Sequence, residues 1–315
     1  MKAPRVSVVM PVHNREWCVG DAIASVLATG EPELEVVVVD DGSTDGTARL
    51  VADWMQREPK RVRAISHPRR ANRGIAASRN LGVAHARGRY LAFLDSDDLF
   101  LPCRFASSLR WLDDHPASIA CVEPFDVLDM RTGERETVTH LTALPPQPRA
   151  WVGAMLFQSV YWRMPAITLR RAAFDSFGGF DARLPVGEEI ALWLKLAATG
   201  RVGSAQRDES VAVVRRHDSH SWSGVGRTIE HSVYLDILHD FSSWGARHRL
   251  PADLRAMTSE RMRQSLVEVL LDDAVPRMRR VSLWASSALR SPRTAFHRRT
   301  TANLGRLVLG LPQWK

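Results

Sequence analysis

An apolar strand pattern and an acidic cluster lie next to each other in the stretch Tyr90-Leu-Ala-Phe-Leu-Asp-Ser-Asp-Asp98. A short, nearly uninterrupted apolar run bounded by polar residues is typical of a strand that is buried on both faces. Strands of this kind belong to parallel sheets, in which ligands bind beyond the carboxyl ends of the strands. The stretch therefore predicts a parallel sheet with Asp95 and Asp97 at its ligand-binding edge.

Three more apolar strand patterns occur before residue 101. Apolar runs predict strands at residues 6–10, 35–39 and 62–66. Helical patterns predict helices at residues 17–28, 44–55 and 75–86, and Pro102 predicts the first turn of another. Polar loops follow the first two strands. This alternation of apolar strands with helices predicts an α/β fold with a doubly wound, mostly parallel sheet.

Beyond this half, the predicted elements are fewer. A helix with Glu188 and Glu189 in its first turn follows a loop, a strand covers 211–215, and the chain reads as helical from about residue 226. The 315 residues are 45% hydrophobic and 25% charged, which excludes a mainly disordered chain. No apolar run approaches the ~20 residues of a membrane span. Three cysteines without a CxxC pair suggest reduced thiols, and neither a zinc site nor a disulfide framework.

The positive charge is concentrated in the last forty residues. Of the 43 Lys and Arg residues, nine follow Asp273, where no Asp or Glu occurs, so the rest of the chain is close to neutral. Apolar residues recur there at helical spacing, at Met278, Val281, Ala285 and Ala288. A cationic amphipathic helix is typical of an anionic membrane surface, but a helix that packs this stripe on the rest of the protein fits equally. No nucleic-acid-binding module accompanies the charge, so nucleic acid is not expected as a partner.

The two strand-end carboxylates suit a divalent cation. Oxygen ligands that leave several positions open are what Mg²⁺ and Mn²⁺ prefer, and the open positions can bind a diphosphate. The chain has neither a GxxxxGK[ST] loop nor GxGxxG after the first strand, so the usual phosphate cradles of NTPases and dinucleotide-binding proteins are excluded. A metal on Asp97 is the remaining candidate for holding phosphates.

Six motifs, in order, resemble those of family-2 glycosyltransferases of the GT-A fold. They are Ser7-Val-Val-Met-Pro-Val-His-Asn-Arg15, Val39-Asp-Asp-Gly-Ser-Thr-Asp45, Asn72-Arg-Gly-Ile-Ala-Ala-Ser-Arg-Asn80, Phe93-Leu-Asp-Ser-Asp-Asp98, Gly187-Glu-Glu-Ile-Ala-Leu-Trp193 and Arg215-Arg-His-Asp-Ser-His-Ser221. The resemblance covers roughly residues 4–223. It implies the GT-A fold and an inverting transfer of a sugar from a nucleotide sugar.

The resemblance also implies roles for individual residues. Those expected to bind the nucleotide sugar are Pro11, His13, Asn14, Arg15, Asp41, Arg79, Asp95 and Ser96. Among them, Asp41 corresponds to the carboxylate that binds the base, His13 to an aromatic ring beside it, and Arg79 to an arginine near the diphosphate. The metal, Mg²⁺ or Mn²⁺, would be bound by Asp97, Asp95 and His217.

The implied general base is Glu189, at a position where the family usually has aspartate within a Glu-Asp pair. This departure lengthens the side chain by one methylene, which matters for in-line geometry. Glu188 is the rival candidate. A helix N-terminus favours the ionised form of either carboxyl group, which is the form that a base requires.

The sequence thus predicts a GT-A catalytic domain over 1–225, with a nucleotide-sugar half at about 1–100 and an acceptor half at about 101–225. A helical, basic extension follows over 226–315. The expected activity is metal-dependent, inverting transfer to a hydroxyl of a glycan, lipid-linked or small-molecule acceptor. Two alternatives stay open: an inactive sugar-nucleotide-binding protein of the same fold, and a sugar nucleotidyltransferase, which would need a glycine-rich, arginine-bearing loop after the first strand. The expected location is the cytoplasm, with peripheral contact to the inner membrane face through 276–315 left open.

Overall fold

The strands and helices are taken from a computed structural model that describes residues 3–139, 147–157, 162–184, 186–205, 209–217, 231–271 and 276–309. The strands in these residues are β1 (Val6–Val12), β2 (Leu34–Asp40), β3 (Val62–Ser66), β4 (Tyr90–Phe93), β5 (Leu99–Phe100), β6 (Ala120–Val122), β7 (Phe125–Asp129), β8 (Arg135–Val138), β9 (Ile167–Arg170), β10 (Val202–Gly203) and β11 (Ala212–Arg216). The helices are α1 (Val19–Leu27), α2 (Thr47–Arg57), α3 (Ile75–His85), α4 (Ala106–Asp114), α5 (Pro148–Phe157), α6 (Arg171–Ser176), α7 (Glu188–Ala198), α8 (His231–Arg247), α9 (Ala252–Leu271), α10 (Arg277–Arg290), α11 (Pro292–Ala295) and α12 (Arg298–Leu309).

The strands form two sheets. The larger has the order β10-β6-β9-β4-β1-β2-β3, and all its neighbouring strands are parallel except where β9 pairs with β4 and β6. The smaller sheet has the order β5-β11-β7-β8. A mostly parallel α/β sheet followed by helices is confirmed.

Alternate side chains of the central strands enter two different cores, one on each face of the larger sheet. In β1, Val8 and Met10 join the core with α1 and α4, whereas Val9 joins the core with α3, α5 and α7. In β4, Ala92 and Phe93 divide in the same way. Both faces of the sheet are therefore covered, which explains the continuous apolar runs in the sequence.

The strand predicted at 62–66 is confirmed as β3, which lies at the edge of the sheet with only Val62 buried. Two other predictions about local structure were inaccurate or incomplete. The helix expected from Pro102 begins at Ala106, because Cys103 has a φ of 61° and the four residues before the helix form turns. The smaller sheet was not foreseen beyond β11. The predicted helical start at 226 and the domain boundary at 225 lie outside the described residues, so the division into domains stays a prediction.

The C-terminal helices pack on helices of the α/β part of the chain. Helix α8 contacts α7, and α9 contacts both α8 and α5. Helices α10, α11 and α12 contact α9, with Ala295 and Leu307 buried. None of the helices in the described residues is long and apolar enough to cross a membrane.

A buried ion pair joins the two sheets. Arg104 and Glu123 are both fully buried, and the Arg104 Nη1 group donates a hydrogen bond to Glu123 Oε2 at 3.0 Å. The guanidinium also donates to the carbonyl oxygens of Pro165 and Ile167, at 2.8 and 3.0 Å. It therefore ties the segment after β5 to β9 and to the end of β6.

We expect Arg104→Met to lower the free energy of unfolding by about 3–5 kcal/mol, because the carboxylate of Glu123 would remain buried without its cation. Arg110→Met is the matched control, since Arg110 is exposed on α4, and should change stability by no more than about 0.5 kcal/mol. Urea unfolding of both variants measures the difference. Equal urea midpoints for Arg104→Met and Arg110→Met would show that the ion pair of Arg104 with Glu123 does not stabilise the fold.

Candidate active site

The predicted site residues meet at one edge of the larger sheet. The carboxyl ends of β1, β2 and β4 lie there, because these strands are parallel neighbours. The end of β11 and the first turn of α7 complete the edge, since Asp97 contacts His217 and Arg79 contacts Glu188. The structure thus brings together segments that are up to 120 residues apart in the sequence.

The loop after β2 holds a buried carboxylate, Asp41. Its Oδ1 atom accepts a hydrogen bond from the Arg73 backbone nitrogen at 2.7 Å, and Oδ2 accepts one from the Gly74 nitrogen at 2.9 Å. The His13 ring lies beside this loop, with Nδ1 2.9 Å from the Asp41 carbonyl oxygen. Gly42 allows the close approach, because a Cβ atom there would lie 2.6 Å from the Arg70 carbonyl oxygen. Asp41 and His13 therefore lie side by side at the loop after β2, with the Asp41 carboxylate buried and His13 exposed.

Pro11 and Asn14 shape the neighbouring loop. Pro11 is buried within β1 and pairs with Val39 of β2. Asn14 has a φ of 50°, and its Oδ1 accepts a hydrogen bond from the Thr44 backbone nitrogen at 2.8 Å. These contacts fix the two loops against each other. A direct contact of either residue with a nucleotide sugar stays a prediction.

A buried arginine connects the two halves of the site. Arg79 of α3 is 2% exposed, and its Nη2 group donates to Asp95 Oδ1 at 2.6 Å. Its Nη1 group donates to the buried carboxylate of Glu188. The ring of Phe180 lies 5.7 Å from the guanidinium carbon. Because Asp95 and Glu188 already engage this guanidinium, it positions carboxylates, and its predicted contact with a diphosphate stays untested.

The two acidic residues of α7 have different surroundings. Burial, together with the charge of Glu189, raises the pKa of Glu188 to about 8, although Arg79 acts in the opposite direction. Glu189 is only half-buried. A general base must reach the substrate and must be ionised. Of the two, Glu189 is the more accessible and Glu188 is the one held by Arg79; which of them is the base stays a prediction.

Asp97, His217 and Arg15 form the third group of the site. The Asp97 Oδ2 atom lies 3.1 Å from His217 Nε2 and 3.6 Å from Arg15 Nε. Ser96, between the two strand-end aspartates, is buried. Arg15 thus places a positive charge next to Asp97.

Asp97 and His217, which lie within hydrogen-bonding distance of each other, are the two side chains that would hold a divalent cation shared with a substrate. Adjacent ligands of an octahedral ion bound at about 2.1 Å lie roughly 3 Å apart, and Asp97 Oδ2 and His217 Nε2 are separated by 3.1 Å. No group of three His, Cys, Asp or Glu side chains that could hold a metal occurs in the described residues. A metal held by two side chains leaves positions for phosphate oxygens and water.

Two buried residues that the sequence reasoning did not select support this group. Asp98 accepts a hydrogen bond from the Arg215 backbone nitrogen at 2.9 Å. The Arg215 Nε group donates to the Asp97 carbonyl oxygen. Burial, with Asp97 nearby, raises the pKa of Asp98 well above its usual value. The sequence signals were a third acidic residue within the four positions 95–98 and an arginine at the end of an apolar strand.

Trp17, in the turn before α1, is a further residue that the sequence reasoning missed. Its side chain is 48% exposed, and its ring meets the His217 ring edge to face with centroids 5.0 Å apart. The Arg215 guanidinium carbon lies 5.7 Å from the same ring. Trp17 therefore holds the end of β11 in the orientation that brings His217 to Asp97.

We expect Trp17→Ala to weaken Mn²⁺-dependent binding of a nucleoside diphosphate roughly 5- to 30-fold, since aromatic and cation–π contacts contribute about 1–2 kcal/mol together. Trp17→Phe keeps a ring at this position and should retain most of the affinity. Calorimetric titration with UDP or GDP in the presence of Mn²⁺ measures the effect. If the alanine and phenylalanine variants bind alike, Trp17 does not orient His217.

Comparisons with known proteins identify the family and the fold of the chain. A family model described as glycosyl transferase family 2 matches residues 7–175. The succinoglycan biosynthesis protein ExoO of Rhizobium meliloti is 37% identical over 205 residues, which are 63% of this chain and 57% of that protein. The putative glycosyltransferase EpsE of Bacillus subtilis is 28% identical over 229 residues, covering 69% of this chain and 78% of that protein.

An uncharacterized glycosyltransferase of Rickettsia conorii is 28% identical over 207 residues, which are 65% of this chain. The chain spans about a third of the length of this relative and of two further Rickettsia relatives.

Solved structures show the same fold. S. aureus TarS, residues 1–349 in complex with UDP-GlcNAc, superimposes with a TM-score of 0.66 at 17% identity, covering 98% of this chain and 82% of that one. The mannosyltransferase PcManGT of Pyrobaculum calidifontis, in complex with GDP-Man and Mn²⁺, gives a TM-score of 0.54 at 19% identity, covering 98% and 87%.

Proposed function

Because the chain belongs to glycosyl transferase family 2, we propose that it transfers a sugar from a nucleoside-diphosphate sugar to a hydroxyl group, with inversion at the anomeric carbon. The observation that supports this most strongly is the contact of buried Arg79 with both Asp95 and Glu188. Asp95 follows β4 on the donor side, and Glu188 begins α7 on the acceptor side. The contact leaves Glu189 as the accessible carboxylate between the two sides.

The donor is proposed to bind with its base at Asp41. A fixed carboxylate accepts hydrogen bonds, so it suits a base that presents a ring N–H, as uracil, thymine and guanine do. The imidazole of His13 lies next to Asp41 and offers a flat surface on which the base can stack. UDP-GlcNAc and GDP-Man, each bound by a structural neighbour, are donors of this class.

A divalent cation is proposed at Asp97 and His217, with Asp95 nearby. When bound there, Mg²⁺ or Mn²⁺ supplies charge neutralisation for a diphosphate leaving group. Arg15, whose Nε is 3.6 Å from Asp97 Oδ2, adds a second positive charge. Asp98 and Arg215 hold the backbone of Asp97 in place.

The reaction is proposed as one in-line displacement. Glu189 accepts the proton of the acceptor hydroxyl while that oxygen attacks the anomeric carbon and the bond to the diphosphate breaks. A single displacement inverts the configuration and needs one carboxylate base. Arg79 fixes Glu188, and through it the first turn of α7, so that Glu189 faces the donor. A glycosidase mechanism would instead need a second carboxyl group as a proton donor.

The acceptor is proposed to be a growing glycan, free or lipid-linked. ExoO, the relative with 37% identity, is named for succinoglycan biosynthesis, which supports a polysaccharide acceptor. The proposed location is the cytoplasm, and Cys18, Cys103 and Cys121 are free thiols, as expected for a reducing compartment. The proposed catalytic domain covers residues 1–225.

Thermal melting with a panel of UDP-, GDP- and dTDP-sugars, each with Mn²⁺, tests the proposed donor class. A donor at 100 times its Kd should stabilise the protein by about 2.7 kcal/mol. The stabilisation should disappear when Mn²⁺ is chelated. If no nucleotide sugar shifts the melting temperature, the proposed donor site is wrong.

A further inference from the structure

Helix α10 exposes two large apolar side chains, although Trp284 and Ala288 of the same helix pack against a hydrophobic cluster. Met278 and Leu289 point outward and are 78% and 87% exposed. Arg280 and Ser287 point inward and are 8% and 1% exposed. A surface helix normally turns its apolar side chains to the core. Of the apolar residues at helical spacing in the sequence, Met278 and Ala285 are exposed, whereas Ala288 packs on the rest of the protein.

Four exposed uncharged residues of α10, three of them apolar, form one stripe. Met278, Ser282, Ala285 and Leu289 follow each other at spacings of four, three and four residues, which places them on one side of a helix. All four are exposed, and none is charged. We call this set the outer stripe.

Contacts of the inward face fix the orientation of α10. The Ser287 hydroxyl lies 3.1 Å from Nε2 of His239 on α8. The Arg280 Nη1 group donates to the Leu270 carbonyl oxygen of α9 at 3.1 Å. Trp284 donates from Nε1 to the Ala295 carbonyl oxygen at 3.0 Å. Because these contacts attach the opposite face of α10 to the rest of the protein, the outer stripe is exposed to solvent in the folded protein.

Arginines lie on both sides of the outer stripe. Arg277 is on one flank and Arg279 and Arg290 are on the other, by their angular positions around the helix. All three are exposed; Arg290 pairs with Asp236 of α8 at 2.7 Å, and Arg277 and Arg279 also have interaction partners. From residue 274 onward the chain has nine basic residues and no acidic one. A partner for this face must be both apolar and anionic.

We propose that the outer stripe of α10 and its flanking arginines bind an anionic lipid surface. Apolar side chains enter the boundary between headgroups and acyl chains, while arginines beside them reach the phosphates. Each basic residue near an anionic membrane strengthens the attraction, which salt screens. A second copy of this chain fits less well, because a symmetric contact would bring arginines of both copies together. The inference does not depend on the proposed catalysis, because no donor is needed to measure it.

The test is co-sedimentation of the full chain with vesicles of phosphatidylglycerol and phosphatidylcholine, and with vesicles of phosphatidylcholine alone. We expect binding to the anionic vesicles only, falling steeply as salt is raised from 50 to 500 mM. The double variant Met278→Gln/Leu289→Gln should bind at least 10-fold more weakly. Its melting temperature should be unchanged, because both side chains are exposed and glutamine has a similar helix propensity. Met130→Gln, at an exposed methionine outside α10, is the matched control and should bind like the parent.

Three outcomes would overturn the proposal. In the first, the wild-type protein binds neither kind of vesicle. In the second, the double variant binds the anionic vesicles as well as the wild-type protein does. In the third, sedimentation equilibrium shows that the wild-type protein forms dimers and the double variant does not. The last would assign the outer stripe to a contact between copies. These point variants are sharper than deletion of 276–315, which would also remove the buried Ala295 and Leu307 from the surface of α9 and so destabilise the protein.

Discussion

Asp97→Ala should abolish detectable sugar transfer and Mn²⁺-dependent binding of the nucleotide. Asp97 is the residue at which His217 and Arg15 converge. The chain has no glycine-rich phosphate loop that could compensate for its loss. Calorimetric titration with the nucleoside diphosphate, with Mn²⁺ and with chelator, measures the effect directly. The wild-type protein should bind the nucleoside diphosphate more tightly with Mn²⁺ than with chelator, and this difference in affinity should be absent in Asp97→Ala.

Two controls separate this result from misfolding. Asp97→Asn keeps the shape of the side chain and removes its charge, so it should melt close to the wild type and still fail to bind the nucleotide with Mn²⁺. Asp175→Ala removes an exposed carboxylate from α6, and it should bind like the wild type. If Asp97→Ala binds metal and nucleotide normally, the proposed metal site is wrong.

Glu189→Gln should keep donor binding and lose transfer by a factor of roughly 10² or more, the usual scale for a missing general base. The amide is nearly isosteric but accepts no proton. Glu189→Asp restores the residue that is usual in the family at this position, and it should be more active than Glu189→Gln because it keeps a carboxylate. Steady-state rates with the donor found in the melting screen provide the comparison.

Glu188→Gln should reduce the rate less than Glu189→Gln does. Its main effect should be a loss of about 1–3 kcal/mol in stability, because the amide replaces one of the two carboxyl groups that hold the buried Arg79. A reversed order of severity would move the base to Glu188. Near-normal rates in both variants would place the base elsewhere or favour a protein that only binds nucleotide sugars.

The sequence was sufficient to predict those features that depend on a local pattern of residues. The apolar run before Asp95 predicts a buried strand, and the parallel arrangement brings Asp41, Asp95 and Asp97 to one edge. The pairing of Arg79 with Asp95 and Glu188 joins residues that are 16 and 109 positions apart. No spacing rule gives such a contact, because it depends on how α3 and α7 pack against the sheet.

The sequence was insufficient where packing determines the outcome. Arg215 and Asp98 are both charged residues beside a strand, and only the fold shows that they are buried and bonded to each other. In α10 the spacing of apolar residues does not tell which face packs. Arg280 and Ser287 are inward because hydrogen-bonding partners on α8 and α9 receive them.

The most direct test of the proposed transfer is the release of nucleoside diphosphate from the panel of nucleotide sugars with Mn²⁺, with and without a lipid-linked glycan extract as acceptor. We predict that one donor class releases its diphosphate, that the extract increases the rate, and that Glu189→Gln lowers this rate at least 100-fold while binding the donor normally. If the wild-type protein binds donors but every donor is recovered intact, the proposed sugar transfer is wrong. The protein would then be one that only binds sugar nucleotides.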